Sequence, residues 1–318
     1  MTEINHRFVK STSGLNMHIA EAGEGPLVLL LHGFPECWYS WRHQLVALAE
    51  AGYHAVAPDQ RGYARTGGPD QVDQYTLLHL VGDAIGLIEP LGEEDAVVVG
   101  HDWGSPVAWG AAQLRPDLIR GVASLSVPHR PRGSMPPIPI MRRMFGDGFY
   151  MVFFQQPDLP EEGFERDLTD TFRRMLYAAS GDSPGIVPII PEGGSMVDVC
   201  PAPDELPSWL TEEDIAAFVR EYDGKGFFGP VNWYRNMDRN WELTAAWHRA
   251  PILPPALYIV GDRDMVVAAP NAREGIAKLT DFIPNLQEPI WLPGCGHWTQ
   301  QERPKEVNEA LISFLDSL

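Results

Sequence analysis

The chain has 318 residues, of which 44% are hydrophobic and 21% charged, and carries a formal net charge of -19. This is the size of one large α/β domain, or of a domain with a sizeable insertion, at the composition of a soluble globular protein. So acidic a surface repels phosphate backbones and anionic membranes, which argues against nucleic acid as a partner, and no apolar run reaches the ~18 residues of a membrane span, so no membrane insertion is expected.

In chain order, MHIAEAG reads as a strand and PLVLLLHG (26–33) as a buried one. SWRHQLVALAEAG (40–52) has helical periodicity ending at Gly52, and YHAVAPDQRG (53–62) is a strand followed by a loop. TLLHLVGDAIGLIEPLG (76–92) reads as a helix, DAVVVGH (95–101) as a strand, SPVAWGAAQL (105–114) as a helix and GVASLSV (121–127) as a strand. Short continuous apolar strands separated by helices predict a parallel sheet covered on both faces.

The rhythm then breaks. HRPRGSMPPIPI (129–140) is rich in proline and basic residues, with no strand–helix alternation. PSWLTEEDIAAFVREY (207–222) predicts a helix with a capping-box start at Thr211 and Asp214. GFFGPVNWYRNMDRNWE (226–242) is aromatic and polar without a clean period. Strands resume at PPALYIVGDRD (254–264) and PIWLPGCGHW (289–298), before a final helix over 305–318. The expected organisation is an α/β core (1–130 and 250–318) interrupted by a helical cap (131–249). An insertion at the carboxyl edge of a parallel sheet lies where such folds bind ligands.

Three cysteines, Cys37, Cys200 and Cys295, stand far apart with no CxxC. Neither a disulfide framework nor a zinc site is indicated. The opening MTEINHRFVKSTSG lacks the apolar core of a signal peptide, so a cytoplasmic protein is expected. Neither GxGxxG, GxxxxGK[ST] nor a metal-spaced His/carboxylate cluster occurs, and no cofactor or metal is implied.

The chemistry starts at VVVGHDWGSPVAWG (97–110), an apolar strand running into a turn and a helix. Gly100 and Gly104 flank Asp102, as a sharp strand-to-helix turn requires when two backbones approach closely. The bland alternative for Asp102 is a helix N-cap. GDRD places acids directly after a later strand, and GCGHW places His297 after the last one, giving the chain order nucleophile, acid, histidine. Asp264 lies beyond its strand end, where a loop turns its carboxylate towards His297; Asp262 reads as a turn residue. HGFP (32–35) follows a buried strand and offers the Phe34 N–H to an oxyanion hole, with the Trp103 N–H as its second donor. The side chains of Phe34 and Trp103 would line the pocket.

A carboxylate in a hydrolase turn has a specific consequence. Serine displacing a leaving group from saturated carbon leaves an ether that water does not readily cleave, whereas aspartate leaves an ester that a histidine-activated water hydrolyses. Asp102 therefore predicts attack on saturated carbon: a halide-bearing carbon or an epoxide. An epoxide oxygen departs as a strongly basic alkoxide and needs O–H donors. Tyr150 and Tyr234 lie in mixed aromatic and polar segments and are candidates, each against the alternative of plain core packing.

HGFPECWYSWRHQ, APDQRGY, VGHDWG, FFQQP, GPVNWYRNMDRNW, GDRD and GHWTQQERP run over essentially the whole chain. Together they resemble the α/β-hydrolase-fold epoxide hydrolases, most of all the soluble and microbial members, which implies a mostly parallel eight-stranded sheet with an inserted helical cap. The resemblance implies conversion of an epoxide to a vicinal diol without cofactor, with Asp102 as nucleophile, His297 as base, Asp264 as its acidic partner, and Tyr150 and Tyr234 as paired donors to the epoxide oxygen. Tyr150 is placed by its distance from the FQQP stretch; Phe153, the neighbouring alternative, has no hydroxyl. Haloalkane dehalogenases share the Asp turn and are the alternative, with the two tyrosines against them. GYARTGGP (62–69) departs from the family's usual GYGxS in a loop without a catalytic group. Mammalian soluble members carry an extra amino-terminal phosphatase domain, for which the residues before 26 leave no room. Phe34, Trp103, Met151 and Phe153 are the expected pocket lining and imply an apolar substrate, used with water. Monomer and homodimer both stay open, as do detoxification and lipid-epoxide metabolism.

Overall fold

The computed structural model describes residues 2–268 and 271–318. Eight strands are formed: β1 (Asn5–Lys10), β2 (Asn16–Ala22), β3 (Leu27–Leu31), β4 (His54–Pro58), β5 (Ala96–His101), β6 (Ile119–Leu125), β7 (Ala256–Gly261) and β8 (Ile290–Leu292). They make one sheet in the order β1-β2-β4-β3-β5-β6-β7-β8. β2 runs antiparallel to both of its neighbours, and every other pairing is parallel.

β3, β5 and β7 are buried along their whole length. That is why LVLLL, AVVVGH and ALYIVG read as continuous apolar runs rather than alternating ones. Burial of each Leu, Ile or Val side chain in these strands contributes about 1.5–3 kcal/mol. In the core, α1 (Arg42–Glu50), α2 (Leu77–Ile85) and α3 (Gly104–Leu114) follow β3, β4 and β5.

Between β6 and β7 lies the helical insertion: α4 (Pro137–Phe145), α5 (Tyr150–Phe153), α6 (Leu159–Glu165), α7 (Leu168–Ala178), α8 (Met196–Val199), α9 (Glu212–Tyr222), α10 (Phe228–Arg235) and α11 (Met237–Leu243). α12 (Ala272–Ala277), α13 (Thr299–Glu302) and α14 (Pro304–Leu315) complete the core.

Four local expectations need correction. β1 has no apolar run to announce it: only Val9 of its six residues is buried, because it is an edge strand held by backbone pairing to β2. The helix expected over 76–92 stops at Ile85; a short 3-10 turn carries Pro90, whose ring and missing N–H prevent an α-helix from continuing. The strand expected over 121–127 runs from Ile119 to Leu125, because Ser126 turns off it at φ 70. The proline-rich 129–140 segment opens α4, with Pro137 at the first helical position, where its missing N–H is harmless.

Thr211 and Asp214 form the expected capping box on α9: the Asp214 N–H donates to the Thr211 hydroxyl (3.1 Å), and the Thr211 N–H to Asp214 Oδ2 (2.8 Å). The other Asp214 oxygen is 3.0 Å from the Arg42 guanidinium of the core and accepts from the Tyr39 hydroxyl at 3.0 Å. Thr211→Ala is expected to lower unfolding free energy by about 1 kcal/mol, read as a shifted urea midpoint at unchanged slope.

The strand directions decide where function gathers. The loops after β3, β5, β6, β7 and β8 all leave the carboxyl edge of the parallel sheet, on the side to which β6 also sends the insertion. Ligand sites in open α/β sheets form at that edge.

Candidate active site

β5 runs directly into Asp102, a non-glycine residue at φ 48. This left-handed turn is strained for a side-chain-bearing residue, and it lifts the carboxylate off the strand end. Glycine is required on both flanks: a side chain at Gly100 would strike the Gly104 carbonyl, and one at Gly104 the Leu31 carbonyl of β3. The first turn of α3 takes no side-chain cap. The N-cap alternative for Asp102 is therefore not what forms, and its carboxylate is free for other partners.

Those partners are two. Asp102 Oδ1 accepts a hydrogen bond from the Phe34 N–H at 2.8 Å, and Oδ2 lies 3.3 Å from His297 Nε2. A side chain on Gly33 would strike both Oδ1 and the Trp103 nitrogen, so the loop after β3 can approach the Asp102 turn this closely only with glycine there. The opposite edge of the imidazole meets Asp264, with Nδ1 3.1 Å from each carboxylate oxygen. Asp264 also accepts from the Val266 N–H at 2.9 Å. Asp262 instead accepts from the Gly294 N–H at 2.7 Å, a turn contact away from the imidazole.

Electrostatics follow from this sandwich. Burial alone would lower the His297 pKa, but the Asp264 charge and hydrogen bonds to both carboxylates raise it well above its ordinary value. Burial would raise both carboxyls, and His297 outweighs it, holding Asp102 and Asp264 below the usual carboxylate range. The site at rest is an ionised pair of acids around a readily protonated imidazole.

Tyr150 opens α5 and Tyr234 sits near the end of α10; their ring centroids are 6.0 Å apart. Tyr234 packs edge-on against Trp103 at 5.0 Å and Phe34 at 5.4 Å, directly over the turn that carries Asp102. Burial, then the Asp102 charge, raises the pKa of both phenols, so both remain O–H donors.

The expected apolar lining is partly redrawn. Phe34 and Trp103 lie against Tyr234, but it is Phe154 that faces both tyrosines, at 5.7 and 5.0 Å, and Phe34 at 5.9 Å. Phe153 is buried next to Phe154, and Met151 is half-buried at the core margin. The helical phase of α5 decides this, which a four-residue helix hides in sequence. A cavity of about 560 Å³ between α3, α4 and α11, lined by Trp109, Met141 and Trp241 among others, contains none of the catalytic candidates.

Several contributors are missed by motif reading. The His297 carbonyl accepts from the Ser126 hydroxyl and from His101 Nε2, both at 2.7 Å. His101 Nδ1 lies 2.6 Å from Glu36 Oε2, and Gln300 and Gln301 donate to Glu36 Oε1 at 3.0 and 3.1 Å. His101 and Glu36 are fully buried. Their signal in the sequence was a polar residue beside each apolar strand end, which is also how a solvated loop begins.

A nucleophile turn after one strand, an acid and a histidine after two later ones, and a helical insertion over the sheet edge make up the plan of an α/β hydrolase. Residues 26–304 match the family model described as the alpha/beta hydrolase fold. Epoxide hydrolase 3 of Siraitia grosvenorii is 43% identical, over 99% of this chain and 99% of that protein. Epoxide hydrolase A of Mycobacterium tuberculosis is 41% identical, over 96% of each. The solved structure of an epoxide hydrolase from an endophytic Streptomyces superposes at a TM-score of 0.93 with 44% identity, covering 98% of this chain and 95% of that one. The chain belongs to the epoxide hydrolases of the α/β-hydrolase fold and is an enzyme of that kind. None of its described helices is long and apolar enough to cross a membrane.

Proposed function

We propose that this enzyme converts an apolar epoxide to a vicinal diol in two steps, through an ester on Asp102. The observation that carries the reading is the placement of two phenols, Tyr150 and Tyr234, over the Asp102 turn, with His297 on its far side. In this reading the helical segment 131–249 acts as the cap that supplies the tyrosines, between core parts 1–130 and 250–318. Three cysteines, all buried and unpaired, support a reducing cytoplasm as the compartment.

In the first step Asp102 Oδ2 attacks an epoxide carbon from the side opposite the oxygen. The C–O bond breaks, its electron pair goes to the departing oxygen, and Tyr150 and Tyr234 hold that oxygen while one transfers its proton. The product is a hydroxyalkyl ester in which Oδ1 becomes the carbonyl oxygen. That oxygen already sits on the Phe34 N–H, with the Trp103 N–H as the second donor of an oxyanion hole.

In the second step neutral His297 takes a proton from water, and the hydroxide attacks the ester carbonyl carbon. The tetrahedral intermediate expels the diol oxygen, which His297 protonates; Asp102, left as a carboxylic acid, gives up its proton, and the tyrosinate formed in the first step regains one, so the resting site is restored. Esterification neutralises Asp102 and so removes one of the charges that raise the imidazole pKa. Alkylation thereby converts an acid-like His297 into a usable base, with Asp264 stabilising the imidazolium that forms.

Tyr150→Phe and Tyr234→Phe together are expected to reduce epoxide turnover by about 10³-fold, within the range of general-acid contributions, while the fold is retained because both rings stay. The decisive assay offers an aryl epoxide and a haloalkane side by side, reading diol against halide. Diol formation that collapses in the double variant supports the reading; halide release exceeding diol formation, or a double variant at wild-type rate, overturns it.

A further inference from the structure

We propose that Glu302 is a positioning residue for the general base: its carboxylate fastens the His297 loop to the insertion, so that ester hydrolysis, but not ester formation, depends on it. The inference rests on the two-step reading above.

Glu302 ends α13. Its Oε2 accepts from the Gly296 N–H at 2.8 Å and from the Gly181 N–H at 2.9 Å, and its Oε1 accepts from the Trp298 N–H at 3.0 Å. Two of these donors are the residues immediately before and after His297. The third belongs to the insertion, just beyond α7. One carboxylate thus spans the histidine loop and reaches the element packed over it. Charge-assisted hydrogen bonds of this kind are about twice as strong as neutral ones.

The seam around it is backbone against backbone. The His297 N–H donates to the Ala179 carbonyl at 2.8 Å, and the Trp298 indole to the Leu176 carbonyl at 2.7 Å. A side chain at Gly296 would strike Gly181 and Ser180, and one at Gly181 would strike the Gly294 carbonyl. With Gly181 and Gly296 in such close backbone contact, displacement of this loop shifts the imidazole as a body. His297 Nε2 is already 3.3 Å from Asp102, and a misplacement of about 1 Å costs on the order of 10²-fold in rate.

Selectivity between the steps follows from who holds whom. Glu302 bonds none of the groups assigned to ester formation: Asp102, Phe34, Trp103, Tyr150 or Tyr234. Its partners flank the one residue required for hydrolysis. A second tie on the same seam, from the Arg263 guanidinium to the Gly181 carbonyl at 2.8 Å, anchors the insertion without gripping residues 296 or 298 through its side chain. It separates general loosening of the insertion from loss of the base.

The test compares E302Q, R263A, H297Q and the wild-type enzyme with an aryl epoxide, by rapid quench and intact-protein mass spectrometry. For E302Q, ester formation should stay within about threefold of wild type, hydrolysis should slow about 10- to 100-fold, and the ester should accumulate at steady state. R263A should partition like wild type. If E302Q does not fold, E302D takes its place; it keeps the charge but draws it back by one methylene, and ester accumulation again supports the clasp. Wild-type partition in the folded variant overturns it, as does equal trapping by R263A. If H297Q itself yields no adduct, the two-step reading fails first, and the clasp with it.

Discussion

Asp102→Ala is expected to lower kcat/KM for an epoxide by at least about 10⁵-fold, comparable to the loss of a nucleophile in other covalent hydrolases, and to leave no protein adduct in the mass spectrum. A loss this large is expected because, in the proposed mechanism, the covalent ester forms on Asp102 itself. The carboxylate is lifted off β5 by a left-handed φ of 48 and fixed by the Phe34 N–H at one oxygen. Its pKa is held low by the neighbouring imidazole against the opposing effect of burial, so it is ionised throughout the working pH range. Alanine keeps the turn and removes both oxygens, so the variant should unfold near the wild-type urea midpoint. A folded variant with activity within tenfold of wild type would exclude Asp102 as nucleophile.

His297→Gln separates the two steps. Ester formation is expected to continue, since the groups proposed for it lie on the other side of the carboxylate. Hydrolysis slows by about 10⁴-fold, the upper range for a positioned general base. The protein then gains the mass of one substrate molecule, on the peptide containing Asp102. The pH dependence has a definite sign. Because the base must be neutral, hydrolysis in the wild type accelerates as pH rises through the His297 pKa of the ester state. That pKa lies below the raised value of the free enzyme, since the ester no longer carries the Asp102 charge. Ester formation stays flat above the ordinary carboxylate range. An H297Q protein that turns over normally without an adduct would refute the division of labour.

Some of this was legible in the chain alone. Continuous apolar strands alternating with amphipathic helices specify a parallel sheet because only a sheet covered on both faces buries such runs. Gly100, Asp102 and Gly104 specify the turn because side chains at its flanks would meet backbone. The order Asp102, Asp264, His297 follows from the order of the strands whose ends carry them, and the Thr211–Asp214 box from spacing within one turn of helix.

What the sequence could not supply were distances between residues brought together by pairing and packing. β1 was invisible because an edge strand held by backbone hydrogen bonds needs no apolar pattern. Phe154 rather than Phe153 meets both tyrosines because the phase of a four-residue helix is set by the elements around it. Glu36, His101 and Glu302 belong to no pattern that marks a function; folding buried the first two and closed three backbone N–H groups around the third. Local chemistry, read one segment at a time, was enough to point to Asp102 as the proposed nucleophile and to saturated carbon as its target. The support beneath the base was decided only by tertiary structure, because it joins residues 36, 101, 181 and 302, whose separation along the chain carries no local signal.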